Sequence, residues 1–116
     1  MTSIQFLRSA GRFVGFQAKG HTGYAPAGQD IVCAAVSTLV QTTVLGLQEL
    51  VGLELQIKQE AKTGLFNCSI LTTDNEAKLE QAHLILNLMY LGLRQVASEY
   101  RKYVQITLKE VQKNEV

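Results

Sequence analysis

The chain has 116 residues, 47% of them apolar and 18% charged, with a formal net charge of +1. That length forms one domain, 1–116, around a single core, and the balance is that of a compact soluble protein. So small a net charge excludes capture of nucleic acid or an anionic membrane by bulk electrostatics, and the longest apolar stretch, Leu84 to Leu93, is interrupted by Asn87, Tyr90 and Gly92 and falls short of the roughly 20 residues of a membrane span.

The first residues, Met1 to Arg8, carry neither a basic head nor a long apolar centre, so they do not read as a signal peptide. The expected compartment is the cytoplasm, where Cys33 and Cys68 remain reduced thiols. Ile4 to Arg8 and Phe13 to Lys19 read as two short strands joined by a four-residue connection, Ser9-Ala10-Gly11-Arg12. From Asp30 to about Val51, apolar residues recur at three- and four-residue spacing, which predicts a largely buried helix weakened at its end by Gly46 and Gly52. Leu53 to Glu60 alternates as a strand with one wet face. Past a turn at Lys62-Thr63-Gly64, the alternation of Phe66, Cys68 and Ile70 predicts its antiparallel partner.

Thr73-Asp74-Asn75-Glu76 has the form of a capping box, with Thr73 and Glu76 satisfying the first amides of a helix that runs to about Tyr100. Val104, Ile106 and Leu108 then alternate in a last strand. The order β-β-α-β-β-α-β predicts an α+β sandwich-like fold. Its simplest architecture is one mixed, mostly antiparallel sheet carrying two helices.

The segment Gly20 to Ser37 carries the chemistry. Asp30 suits the cap of the first helix, since its side-chain oxygen accepts from amides two or three residues on. Cys33 then falls in the first turn, where free amides and the positive end of the helix dipole favour a thiolate. The same amides are candidates to hold an oxyanion. His21, 12 residues earlier, is placed to take the thiol proton and to protonate a leaving amine. Gly20, Gly23 and Gly28 allow the connecting segment to act as a flap, and Tyr24, Ala25 and Pro26 offer it an apolar surface for substrate. On residue types alone, the competing readings are a packed cysteine, a solvated histidine and an ordinary surface loop.

Gly20-His21, Gly28 and Asp30-Ile31-Val32-Cys33-Ala34-Ala35-Val36-Ser37 resemble the signature of the ribosomal-processing cysteine protease family, Prp. The resemblance extends over the whole chain in length and element order. It implies a small homodimeric bacterial endopeptidase that removes a short N-terminal extension from large-subunit ribosomal protein twenty-seven. The family's catalytic dyad maps onto His21 and Cys33, and its flexible, substrate-admitting loop onto Gly20 to Gly28. Thr22 departs from the alanine that often follows the histidine, and altered loop packing is the expected consequence. Asp30 is a candidate to orient His21 as a third member or simply to cap the helix. Ser37, one turn after Cys33, is a candidate to touch the site or to bond back to its own helix.

Cys68 and His83 are expected to serve packing rather than chemistry. The two cysteines and two histidines lack zinc-site spacing, so no metal or other cofactor is expected. Arg94, Arg101, Lys102, Lys109 and Lys113 form either a face toward ribosomal components or a set of dispersed solvated charges. Protein rather than nucleic acid is the expected partner, and no membrane is involved. Two other function classes stand beside the protease: a non-catalytic ribosome-assembly binding module, and a thiol acyl hydrolase or redox protein, the redox version disfavoured by the lack of a CxxC pair.

Overall fold

The computed structural model describes residues 1–112. In chain order these form β1 (Thr2–Ser9), β2 (Arg12–Lys19), α1 (Ile31–Leu45), β3 (Leu55–Glu60), β4 (Leu65–Ile70), α2 (Glu76–Glu99) and β5 (Val104–Glu110), the order expected. One sheet holds all five strands in the spatial order β3-β4-β2-β1-β5. Its neighbours are antiparallel except β1 and β5, which pair in parallel from Thr2↔Val104 to Arg8↔Glu110. A parallel neighbour needs a long crossover, and α2 supplies it.

Alternation along the strands sends one set of side chains to the helix layer. Ile4, Phe6 and Phe16 are fully enclosed there, beside Ala18, Cys68 and Ile70. Burying one such large side chain contributes about 1.5–3 kcal/mol. Phe6 meets the ring of Tyr90 on α2 edge-on, with centroids 5.2 Å apart. The register places Lys58, Asn67, Gln17, Gln5 and Thr107 in one row across the opposite face, a polar surface. Arg12 ties the start of β2 to α2 through Glu76 at 2.7 Å and Glu80 at 3.1 Å.

Several local expectations are corrected. The β1–β2 connection has two residues, not four, because Ser9 and Arg12 pair directly. Ala10 and Gly11 both take positive φ, 52° and 79°, as a tight turn matched to strand twist requires. The long helix is α-helical only to Leu45 and continues as a π-helical turn, Gly46–Val51, closed by Gly52 in the left-handed conformation. The span Ile31–Val51 is, by length and composition, apolar enough to cross a membrane, with a mean hydropathy of 1.6. It, rather than Leu84 to Leu93, is the most membrane-like stretch. Here it lies in the helix layer, with Val32, Val36, Val40 and Val44 buried.

β3 keeps a dry side only at its start, where Leu55 is half-buried against the core; Ile57 further along is exposed like Gln56 and Lys58, because β3 is an edge strand. The cap of α2 is Asn75, whose side chain accepts from the Lys78 amide at 3.1 Å. Thr73 instead accepts from the Asn75 amide at 3.2 Å, so the capping role falls two residues later than expected.

His83 serves structure. A bulge sets Arg8 opposite Phe13 and Leu7 opposite Gly15, and His83 Nδ1 accepts the Phe13 amide at 2.9 Å. Arg94 lies 5.5 Å over the Tyr90 ring. Arg101 and Lys102 follow α2, Lys109 is on β5, and Lys113 lies outside the described residues.

The turn gives a stability test. Ala10 holds a conformation that costs an ordinary residue about 1–2 kcal/mol and that asparagine tolerates. Ala10→Asn should therefore stabilise the chain by about 0.5–1 kcal/mol and Ala10→Val should destabilise it, both read from urea unfolding midpoints.

Candidate active site

Three stretches meet where β2 ends. The Gly20 amide donates to the Thr63 carbonyl at 3.1 Å, and the Gly20 carbonyl accepts the Thr2 hydroxyl at 3.0 Å. The approach leaves no room for side chains. A Cβ on Gly20 would sit 2.4 Å from the Met1 carbonyl oxygen, and one on Gly64 would sit 2.5 Å from that of Gly20. This backbone junction brings the β3–β4 turn against His21, whose Nε2 lies 3.1 Å from the Lys62 carbonyl oxygen. A carbonyl only accepts, so Nε2 carries the hydrogen and Nδ1 is the basic nitrogen of the neutral ring.

Asp30 caps α1, and both its oxygens are used. Oδ1 accepts the Cys33 amide at 2.8 Å. Oδ2 accepts the Thr22 hydroxyl at 2.5 Å and the amides of Tyr24 and Ala25 at 3.0 and 3.3 Å. Burial alone raises the Asp30 carboxyl, but the bonds from Thr22, Cys33, Ala25 and Tyr24 outweigh it and hold the group below its ordinary range. The folded value being the lower one, this contribution to stability is complete above the ordinary carboxylate range. It is lost as acidification passes through the lowered value.

Asp30 is therefore a cap and loop clasp; among the described residues no hydrogen bond joins it to His21. That position is filled by the Lys62 carbonyl, which sequence reasoning missed because a backbone acceptor has no residue signature. Thr22 is 2% exposed and anchors the loop through a hydroxyl that alanine would lack, so the departure from the common residue has a structural use.

Cys33 is half-buried in the first turn of α1, with Sγ 4.0 Å from the Ser37 hydroxyl. Ser37 thus faces the thiol, whereas Thr38 makes the back-bond to its own helix, donating to the Ala34 carbonyl at 2.8 Å. The Cys33 amide is taken by Asp30 and the Ala34 amide by the Asp30 carbonyl, so these two are not free for an oxyanion.

Cys33, Ser37, His21, Thr22 and Gly20 line one cleft of about 210 Å³. Its apolar walls are Val36 and Val40 of α1 and Ala18, Leu65 and Phe66 of the sheet, with Gln59 and Glu60 of β3 at its edge. Gly23, Tyr24 and Gly28 are exposed, and Tyr24, Ala25 and Pro26 are not among the residues that line the cleft. The apolar lining comes from α1 and β4 rather than from the loop. His21 and Cys33 share the cleft, but no hydrogen bond joins them among the described residues. Cys68 lies apart in the core, 1% exposed.

Thiol-dependent hydrolysis of acyl bonds is the class of chemistry that this fold and cleft accommodate. A family model described as cysteine protease Prp matches residues 1–105, and the chain belongs to that family. It is similar to the ribosomal processing cysteine protease Prp of Staphylococcus aureus, 28% identical over 90 residues, covering 78% of this chain and 81% of that one. The Bacillus subtilis protein of the same name is 26% identical over 92 residues, covering 79% and 82%.

Among solved structures, S. aureus Prp with a covalently linked product peptide matches with a TM-score of 0.83 at 24% identity, over 94% of this chain and 100% of that one. SMU.848 from Streptococcus mutans matches with a TM-score of 0.81 at 26% identity, over 96% of each. The chain is thus a cysteine-type endopeptidase of the ribosomal-processing family, which sets aside the binding-module and redox readings.

The two thiols differ in a way that alkylation reads. Burial pushes the Cys68 thiol up to about 11, which leaves about a thousandth of it as thiolate at pH 8. Iodoacetamide at pH 8 should modify Cys33 alone in the folded chain and both thiols in urea, as peptide mass mapping would show.

Proposed function

We propose that the chain removes the N-terminal extension of bacterial large-subunit ribosomal protein twenty-seven, with Cys33 as nucleophile and His21 as general base and acid. The observation that carries this reading is the shared cleft. A helix-start thiol and an imidazole whose other nitrogen is held by a carbonyl line one cavity. Family membership and the ribosomal-processing names of the relatives support a substrate among ribosomal proteins. The S. aureus protein has been solved with a substrate peptide, which fits a peptide partner and needs no contact with nucleic acid. The cytoplasm is the compartment this proposal assigns, and two free thiols suit it.

The steps follow from the atoms present. His21 Nδ1 takes the thiol proton, and Cys33 Sγ forms a bond to the scissile carbonyl carbon. The oxyanion is met by helix-start amides, of which Ile31 and Val32 precede the two already engaged. The intermediate collapses with loss of the amine, which receives the proton from His21. Water gives a proton to His21 and attacks the thioester carbon; the C–S bond then breaks, the acid is released, and His21 returns the proton to Cys33 Sγ. The Lys62 carbonyl holds the ring and its tautomer, the part an aspartate plays in a triad.

The homodimer has a surface to use. Leu84, Leu88 and Leu91 are 71%, 70% and 54% exposed and stand at one-turn intervals along one side of α2. Light scattering after size exclusion should give twice the chain mass, and Leu88→Glu should give the monomer. A monomeric parent chain overturns this arrangement.

The catalytic assignment is tested with a peptide spanning the extension junction. The parent chain should cleave it at one site. Cys33→Ala should abolish turnover with unfolding unchanged, and His21→Ala should lower kcat by about 10²- to 10⁴-fold. Lys62→Ala, which keeps the backbone carbonyl, should stay within about twofold of the parent. Full turnover by Cys33→Ala would remove the nucleophile assignment.

A further inference from the structure

The cleft has an apolar floor and an amide rim. The floor is fixed: the Phe66 ring stacks on the fully buried Phe16, with centroids 5.9 Å apart and planes at 12°, and the buried Val36 and Val40 of α1 line the same space. Two glutamines stand on opposite walls. Gln41 lies on α1 one turn after Ser37 and two turns after Cys33, and Gln59 pairs with Phe66 and so shares its side of the sheet. Both are exposed, and among the described residues neither carboxamide has a hydrogen-bond partner.

A peptide lying over an apolar floor gives up the water on its main-chain N–H and C=O groups, and each group left unpaired weakens binding. The main chain of the walls offers little in return. The inner amides and carbonyls of α1 are bonded within the helix, and those of β4 are taken by β2 and β3. Of the polar side chains that line the cleft, Thr2 and Thr22 already donate to Gly20 and Asp30, and Ser37 faces the thiol. The Glu60 carboxylate only accepts, whereas a carboxamide donates and accepts, the complement of a peptide unit.

We infer that Gln41 and Gln59 form a clamp that holds the main chain of an extended peptide substrate at a second point, away from the scissile bond. The inference rests on the protease reading of this cleft and adds a binding register to it. Two turns of α1 separate Gln41 from Cys33, about 12 Å along the axis. An extended chain advances about 3.3 Å per residue. The clamp therefore meets the peptide about three or four residues from the bond that Cys33 attacks, with an apolar side chain between them on the floor. Neutral amides reading main chain are indifferent to the side chain at the clamped position.

The experiment compares the parent with Gln41→Leu and Gln59→Leu, which keep bulk and lose the amide at exposed positions, so urea midpoints should match the parent. On the junction peptide each variant should raise KM about fivefold with kcat within about twofold. A set of peptides then carries single amide-to-ester replacements on both sides of the scissile bond. One ester about three or four residues away should raise the parent KM about fivefold and add nothing in Gln41→Leu. An ester at that residue or its neighbour should behave likewise with Gln59→Leu. Alanine at those residues should leave KM within about twofold. A merely structural role for the glutamines gives no such coupling.

Binding is read separately, as the anisotropy of labelled peptide on the Cys33→Ala chain, where each glutamine change should raise Kd by the same factor. Ester effects that add to those of both variants would overturn the clamp, as would an alanine scan that reproduces the glutamine dependence. Cleavage with parent KM in both variants would overturn the clamp and leave the protease reading standing. Glutamine-dependent binding to a chain that cleaves nothing would keep the clamp and remove the protease reading for that peptide. Neither binding nor cleavage would remove both.

Discussion

One carboxylate organises the functional end of this molecule. Asp30 accepts four donors with two oxygens: the Thr22 hydroxyl and three backbone amides. Its cap bond starts the helix that carries Cys33, and its loop bonds fold residues 22–25 back over that start. An exposed loop rich in glycine has little apolar burial to offset the entropy of ordering it. Charge-assisted bonds to a single acceptor supply that constraint here, and they act on the loop and on Cys33 together.

The cleft follows from incomplete coverage of the sheet. α2 lies over β2 and β5, and its Tyr90 ring fills the space against Phe6 and Phe13. α1 packs against α2. Of the helix-side residues of β3, Leu55 is half-buried, whereas Ile57 and Gln59 are left exposed at the sheet's edge. The gap between α1 and the β3–β4 hairpin is the cavity that Val36, Val40 and Phe66 line. An edge strand and a helix start thus border one space, so the thiol is reached without opening the core. A fold that covered β3 would have gained burial and lost access to Cys33.

Much of this was legible in the sequence because periodicity reports faces. The alternation of Phe66, Cys68 and Ile70 and the helical spacing after Asp30 correspond to β4 and α1, and the element order follows from them. Alternation does not report what lies over each face, which is why β3 was expected to be dry on one side throughout rather than at Leu55 alone. Caps and turns were displaced by one or two residues, Asn75 for Thr73 and a two-residue hairpin turn for a four-residue one, since short polar residues compete closely for those positions. At the site, the helix-start thiol and the histidine in a glycine loop were visible as residue types. The Lys62 carbonyl was not, because backbone acceptors carry no side-chain signature. The edge-on contacts of the Tyr24 ring with Tyr100 and Tyr103 were hidden for another reason: those partners lie more than 70 positions away.

The support given to His21 depends on backbone rather than on side chains. Its ring is held by a carbonyl, and that carbonyl is held by a junction of three backbones in which Gly20 and Gly64 make the close approach. Backbone geometry depends on the path of the chain, so most side chains nearby are free to vary provided that those two positions carry no Cβ. Cys33 is placed in the same way, by the axis of α1 and by the hydrogen bond its amide donates to the Asp30 cap. A fold retained at a TM-score of 0.83 with 24% identity is what this construction permits. Changes at Lys62 leave the acceptor in place. A methyl group on Gly64 would meet the Gly20 carbonyl and displace the histidine that follows it.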